Sequence, residues 1–142
     1  MNVTGAGGAI PRDDNERMDA HAEMFYEEIR KRKSDVTAIA KNTGFSAEDI
    51  DKIKQHVFID KHDLGTEELS RFTPDYDMAV SWQRLIDGRN IKEMDIVLLN
   101  HELVEARLMS EGISYEKAHS DADAVYSYTK YVRELDAKEG IL

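Results

Sequence analysis

The sequence predicts a single all-α domain of five to six helices, and three observations predict it. Apolar residues recur at helical spacings from about residue 15 towards the C-terminus. Capping residues and glycines punctuate those stretches, and there are only 2 Pro in 142 residues. No run alternates apolar and polar residues as a half-buried strand does, and no internal repeat is present. A chain of this length supports one domain with a modest core.

Met1 to Pro11 contains Gly5-Ala6-Gly7-Gly8 and no apolar period, so it reads as a flexible linker, with the domain at 12–142. Such a start suits the joint to an upstream module. Asp13, Asp14 and Glu16 open the first helix, where the macrodipole favours negative charge. That helix runs through Met18, Phe25 and Ile29 to about Lys33 and ends in four basic residues. Ser34 caps a short helix carrying Val36, Ile39 and Ala40, which stops at Gly44. Ser46-Ala47-Glu48-Asp49 starts a third, with Ile50, Ile53, Val57 and Phe58 near one face. This pair has the outline of a helix-turn-helix. The acidic first turn of its second helix is unsuited to phosphates, so a plain helical hairpin is the better account.

Asp60 to Phe72 has no clear period and reads as a loop. Thr73-Pro74 opens the next helix, with proline in its first turn. It carries Met78, Val80, Trp82, Leu85 and Ile86, with Trp82 as core, and ends before Gly88. Asn90-Ile91-Lys92-Glu93 has the form of a capping box and begins a long helix to about Ser110, closed by Gly112. Ser114 caps a last helix, expected to run unbroken from Tyr115 to about Lys138.

Composition removes several function classes. With 19 Lys+Arg against 29 Asp+Glu, the net charge of −10 speaks against a general duplex DNA-binding surface. The absence of Cys excludes disulfides and thiolate zinc sites, so any transition metal must sit on His, Asp or Glu. The longest apolar run, Ile96 to Leu99, is far too short to span a bilayer. Met1 to Ile10 lacks the basic and apolar segments of a signal peptide. The chain as written reads as soluble, with no membrane partner.

The helix from Ile91 to Ser110 carries the chemistry. With His101 placed at zero on a helical wheel, Leu108, Met94, Val97, Leu98 and Val104 fall within about 60° of it. Glu105 falls at about 40°, inside the same apolar arc, and Glu102 at about 100°, on its rim. Ile96, Leu99, Leu103 and Ala106 cover the opposite side, so the helix should be central. An unpaired buried charge costs several kcal/mol, so these groups need a metal, each other, or a basic partner. His101-Glu102-Leu103-Val104-Glu105 is an H-E-x-x-E string. In the related H-E-x-x-H pattern the terminal residues bind zinc and the Glu activates water. Glu105 can replace the second His because zinc accepts carboxylate oxygen, and His119 on the next helix is the candidate third ligand. The bland alternative is an i,i+4 ion pair between His101 and Glu105, with His119 a hydrogen-bonded core histidine.

His56 and His62 are a second candidate pair. His56 at a helix end complements the dipole, and His62 lies in the irregular loop where catalytic groups are common. Two histidines can serve as base and acid without a metal. Arg71 can contact a substrate phosphate or carboxylate, or can cap or pair locally.

These segments together carry a resemblance. Ile39-Ala40-Lys41-Asn42-Thr43-Gly44-Phe45, His56-Val57-Phe58 with Lys61-His62, Arg71-Phe72-Thr73-Pro74-Asp75, Ser81-Trp82-Gln83-Arg84-Leu85, His101-Glu102 with Glu105, and Ala118-His119 occur in this order. The stretch from Val36 to Tyr126, about two-thirds of the chain, resembles a domain at the C-termini of bacterial polymorphic toxins and some phage minor head proteins. That resemblance implies an effector module on a larger carrier protein, secreted or delivered into the cytoplasm of a target cell and neutralised by a cognate immunity protein. It implies no established reaction, so the chemistry rests on the residues. The expectation is a toxic hydrolase, with Glu102 as general base and Arg71 as substrate contact. His101, Glu105 and His119 would be ligands for zinc or another divalent metal, or acid–base partners. Two alternatives stand beside it: a metal-independent nuclease built on His56, His62 and His119, and a non-enzymatic phage assembly or interaction domain.

Overall fold

The computed structural model describes residues 10–138, which form seven α-helices and one π-helical turn. No β-strand occurs among the described residues, so the all-α class is observed. Residues 1–9 of the expected linker lie outside the described residues.

Helix α1 spans Asn15–Lys31, begins at Asp14, whose carboxylate accepts from Arg17 N, and ends in basic residues. It buries Phe25, Tyr26 and Ile29. Helix α2 (Asp35–Thr43) stops at Gly44, whose φ of 85° is a left-handed conformation that favours glycine. Helix α3 (Ala47–Lys54) is capped by the Ser46 hydroxyl and passes without a break into a π-helical turn, Gln55–Ile59. Helix α4 (Tyr76–Asp87) starts just beyond the Thr73-Pro74 motif, because Asp75 is the residue that accepts from Met78 N. Helix α5 spans Glu93–Ser110; the Asp95 carboxylate reaches back to Lys92 N, so the start is set by Asp95 rather than by Asn90.

The expected single last helix is two: α6 (Tyr115–Val125) and α7 (Tyr128–Lys138). The break accounts for the helix count exceeding five to six. At the break Tyr126 leaves helical geometry, and the Ser127 hydroxyl accepts from Lys130 N at 3.4 Å. Ser127 is therefore a capping residue inside what sequence spacing reads as a continuous helix.

The core is built around Trp82, Phe58, Tyr26 and Phe25, with Ile39, Ile50, Ile53, Leu85, Leu98 and Leu99 between them. Phe58 meets both Trp82 and Tyr26 edge to face, at centroid distances of 5.1 and 4.6 Å. Helix α5 packs against α3, α4, α6 and α7, the central position its all-round apolar surface predicts. Among the described residues no helix is long and apolar enough to cross a membrane.

One polar cluster is locked into this core. Asp35, fully buried, takes Lys54 Nζ at 2.8 Å and the Trp82 indole N–H at 3.1 Å. Lys54 Nζ also donates to the Arg32 carbonyl at 2.6 Å. The cluster joins the start of α2, the end of α3 and the middle of α4, and so fixes the direction in which α3 enters its π turn. The sequence carries a signal for it: Lys54 shares a face with Ile50, Ile53 and Val57 at helical spacing, where a lysine requires a buried acceptor. Lys54→Met should therefore destabilise the fold by about 3–5 kcal/mol in urea unfolding, because it strands the Asp35 carboxylate. The double variant with Asp35→Leu should recover part of that loss. A single-variant loss within experimental error of zero would show that the pair is not a structural lock.

Candidate metal centre

Three elements converge on one carboxylate. Helix α5 supplies His101, Glu102 and Glu105, the π turn supplies His56, and α6, folded back against α5, supplies His119. The Glu105 side chain is only 2% exposed. Its Oε1 accepts from His56 Nε2 at 2.8 Å. Its Oε2 meets His119 Nδ1 at 2.9 Å and His101 Nε2 at 3.2 Å. The expected approach of His119 to His101 is observed, with ring centroids 5.0 Å apart. His56, expected to complement a helix dipole or to act with His62 and His119 as an acid–base residue, belongs to this cluster.

The protons around His101 are strongly constrained. Its Nδ1 lies 3.0 Å from the Tyr126 carbonyl, which only accepts, so Nδ1 carries a proton. That leaves Nε2 facing the Glu105 carboxylate. Either Nε2 is also protonated, giving an imidazolium, or a cation lies between the two groups. An N–H donated to a backbone carbonyl is the usual support of a metal-binding histidine, because it fixes the tautomer with the other nitrogen free. The chain breaks at Tyr126, so its carbonyl accepts from Tyr128 N at 3.1 Å and from His101 rather than from the backbone N–H four residues on, as in a continuous helix.

Glu102 is the unsatisfied member. Its Oε2 is buried without a hydrogen-bond partner, 3.7 Å from His56 Nε2. Burial and the adjacent Glu105 charge push its carboxyl well above the usual carboxylate range. Glu105 moves the other way: burial opposes its charge, but the hydrogen bonds from the three histidines hold it below that range. Burial also opposes a charged His101, yet the Glu105 hydrogen bond and the Glu102 charge outweigh it and raise the imidazole to about 9.

The donor set forms two triads that share Glu105. His101, Glu105 and His119 make one; His56, Glu102 and Glu105 make the other. Within each, the candidate ligand atoms lie within 4.8 Å of one another. A tetrahedral ion with bonds of about 2.0–2.1 Å separates its ligands by about 3.3 Å. The Glu105–His101 and Glu105–His119 distances need only small adjustments to reach that spacing.

A cleft of about 1200 Å³ reaches the cluster at His56, with His62, Leu69, Leu103, Arg107 and Tyr115 among its other lining residues, whereas His101, Glu102, Glu105 and His119 do not line it. Phe72 forms an aromatic support for it, stacked on His62 at 4.5 Å and packed on His56 and Tyr115 at 5.2 and 5.1 Å. The sequence marks Phe72 only as part of the Arg71–Asp75 segment and gives no role to Tyr115, since their partners lie on other elements.

His62 and Arg71 close the end of the π turn. A helix end leaves carbonyls without intrahelical partners. Here Asp60 N bonds the Gln55 carbonyl, His62 Nε2 that of His56 at 2.8 Å, Arg30 that of Phe58 and Arg71 Nε that of Ile59 at 2.9 Å. A backbone bridge between His62 and Ser70 pins the expected loop. Arg71 thus caps a helix end and does not line the cleft. His62 lines the cleft with one nitrogen already bonded.

In comparisons with known proteins the chain matches no family model, no curated protein and no solved structure.

For metal-free protein the His101 shift sets a pH dependence. A folded value of about 9 against an unfolded value of about 6.5 stabilises the fold fully below pH 6.5. That contribution is lost as pH rises through 9. Glu102, also raised, acts in the same direction, whereas the lowered Glu105 costs stability only under acid conditions. Chelator-treated protein should therefore melt at progressively lower temperature between pH 6.5 and 9, and His101→Gln should flatten the trend. A melting temperature that rises across this window contradicts the arrangement.

Proposed function

We propose that the chain is the effector domain of a larger carrier and acts as a metal-dependent hydrolase, toxic to the cell that receives it. The observation that carries the reading is His101: its Nδ1 proton is committed to Tyr126, and its Nε2 faces the Glu105 carboxylate shared with His119. His101, Glu105 and His119 are the ligand set for zinc or a similar divalent ion. A divalent ion there would act as a Lewis acid and lower the pKa of water to about 7. Glu102, buried beside the ligands with an oxygen lacking a partner, is the group placed to take a proton from water.

The chain's own groups favour this reading over the metal-independent nuclease. His56 Nε2 bonds Glu105 and His62 Nε2 bonds the His56 carbonyl, so both rings take part in holding the cluster and its π turn. The cleft also carries more acidic than basic side chains, with Asp49, Asp51, Asp60, Asp63 and Glu116 against Lys52, Lys61 and Arg107, which disfavours a phosphate backbone. A cognate immunity protein then has a defined target, the mouth of this cleft. The resemblance to toxin C-terminal domains supports the delivery and immunity parts of the proposal.

Inducible expression in bacteria tests it. The wild type should arrest growth, while Glu102→Gln and His101→Ala should not, and nucleic acids should stay intact. A catalytic carboxylate removed in this way should cost about 10²–10⁴ in turnover. Arrest by all three proteins alike, or by none, contradicts the proposal; degraded RNA or DNA returns the nuclease reading.

A further inference from the structure

The two triads share a single carboxylate through different oxygens. Glu105 Oε2 faces His101 and His119, and Glu105 Oε1 faces His56. On the Oε1 side, Glu102 Oε2 completes the set at 3.7 Å from His56 Nε2, with no other partner for that buried oxygen. A carboxylate whose two oxygens point into two separate ligand sets is the geometry of a bridging ligand. Ions held by such a bridge lie about 3.5–4 Å apart in two-metal hydrolytic sites.

We infer that the centre binds two divalent cations bridged by Glu105, the second held by His56 and Glu102. This rests on the metal-dependent reading above and deepens it. Chemistry separates the two positions. The first offers two imidazoles and one carboxylate, a zinc-type set; the second offers one imidazole and two carboxylates, a harder set that suits Mn²⁺ better. The second position also gives a ligand role to the Glu102 Oε2 atom, which is buried without a hydrogen-bond partner.

The π turn belongs to this assignment. His56 reaches Glu105 from the Gln55–Ile59 turn, whose chain end is tied down by His62, Arg30 and Arg71. These residues hold the second position in place and leave the first untouched. In a two-ion centre Glu102 is a ligand, and the water-activating role assigned to it above passes to the pair of ions.

Metal stoichiometry separates the possibilities. The full chain is stripped with chelator, loaded with Zn²⁺ or Mn²⁺, passed through a desalting column and assayed by elemental analysis. The inference expects about two ions per chain, and in the Mn²⁺ form an electron paramagnetic resonance signal attenuated by coupling between ions about 3.5–4 Å apart. Glu102→Gln and His56→Gln should each reduce the content to about one ion and restore an uncoupled signal. Circular dichroism reports that each variant is folded, and the wild-type content decides the matter even if a variant is not. A content of one ion in the wild type, unchanged in Glu102→Gln, overturns the second position and leaves the metal-dependent reading standing. No bound ion at all overturns both.

Discussion

The site depends on one buried carboxylate that three histidines approach at once. Glu105 is almost fully enclosed, and its environment is a compensation for its charge: His56 at one oxygen, His101 and His119 at the other. Each histidine comes from a different segment, so the carboxylate ties the π turn, α5 and α6 together in one place. In the metal-free chain protons supply the compensation. The same donor atoms, relieved of those protons, could hold a cation. Protons and a cation would therefore compete for the same groups.

Two departures from regular helix hold that arrangement. The π turn after α3 ends in carbonyls bonded by His62, Arg30 and Arg71, and single π turns inside helices are frequent at functional sites. The break between α6 and α7 releases the Tyr126 carbonyl for His101. Away from the site, the buried Asp35–Lys54–Trp82 cluster fixes α2, α3 and α4 against one another. The bidentate pair of Arg84 with Asp95 does the same for α4 and α5. The scaffold is rigid where α5 must stay still and irregular only where side chains are delivered to the cluster.

Much of this was legible in the sequence because the physics is local to one helix. The wheel around His101 places Glu105 in an apolar arc, and a carboxylate in such an arc demands a partner; that reasoning found His101, Glu102, Glu105 and, through the short turn before Ser114, His119. Gly44 and Gly88 end their helices where expected, with left-handed φ values of 85° and 70°. His56 was visible as a residue but not as a partner of Glu105, since no spacing within α5 says which other element faces it. The π turn was hidden for a similar reason: the run Ile50, Ile53, Val57, Phe58 fits an ordinary helix, and the groups that meet its last carbonyls, His62, Arg30 and Arg71, lie outside that run. Ser127 was read as helix interior because apolar and polar residues continue at helical spacing on both sides. Arg71 was read either as a substrate contact or as a local cap, and its bond to the Ile59 carbonyl is of the second kind; which carbonyl it meets depends on how the loop folds back.

The central claim is that the histidines around Glu105 are metal ligands rather than a closed hydrogen-bond network. Anomalous diffraction at the zinc edge from crystals grown with Zn²⁺ tests it most directly. The account predicts a peak about 2.0–2.1 Å from Glu105 Oε2, His101 Nε2 and His119 Nδ1, with the Tyr126 carbonyl still bonded to His101 Nδ1. Diffraction that shows the three histidines still hydrogen-bonded to Glu105, with no anomalous density among them, contradicts it.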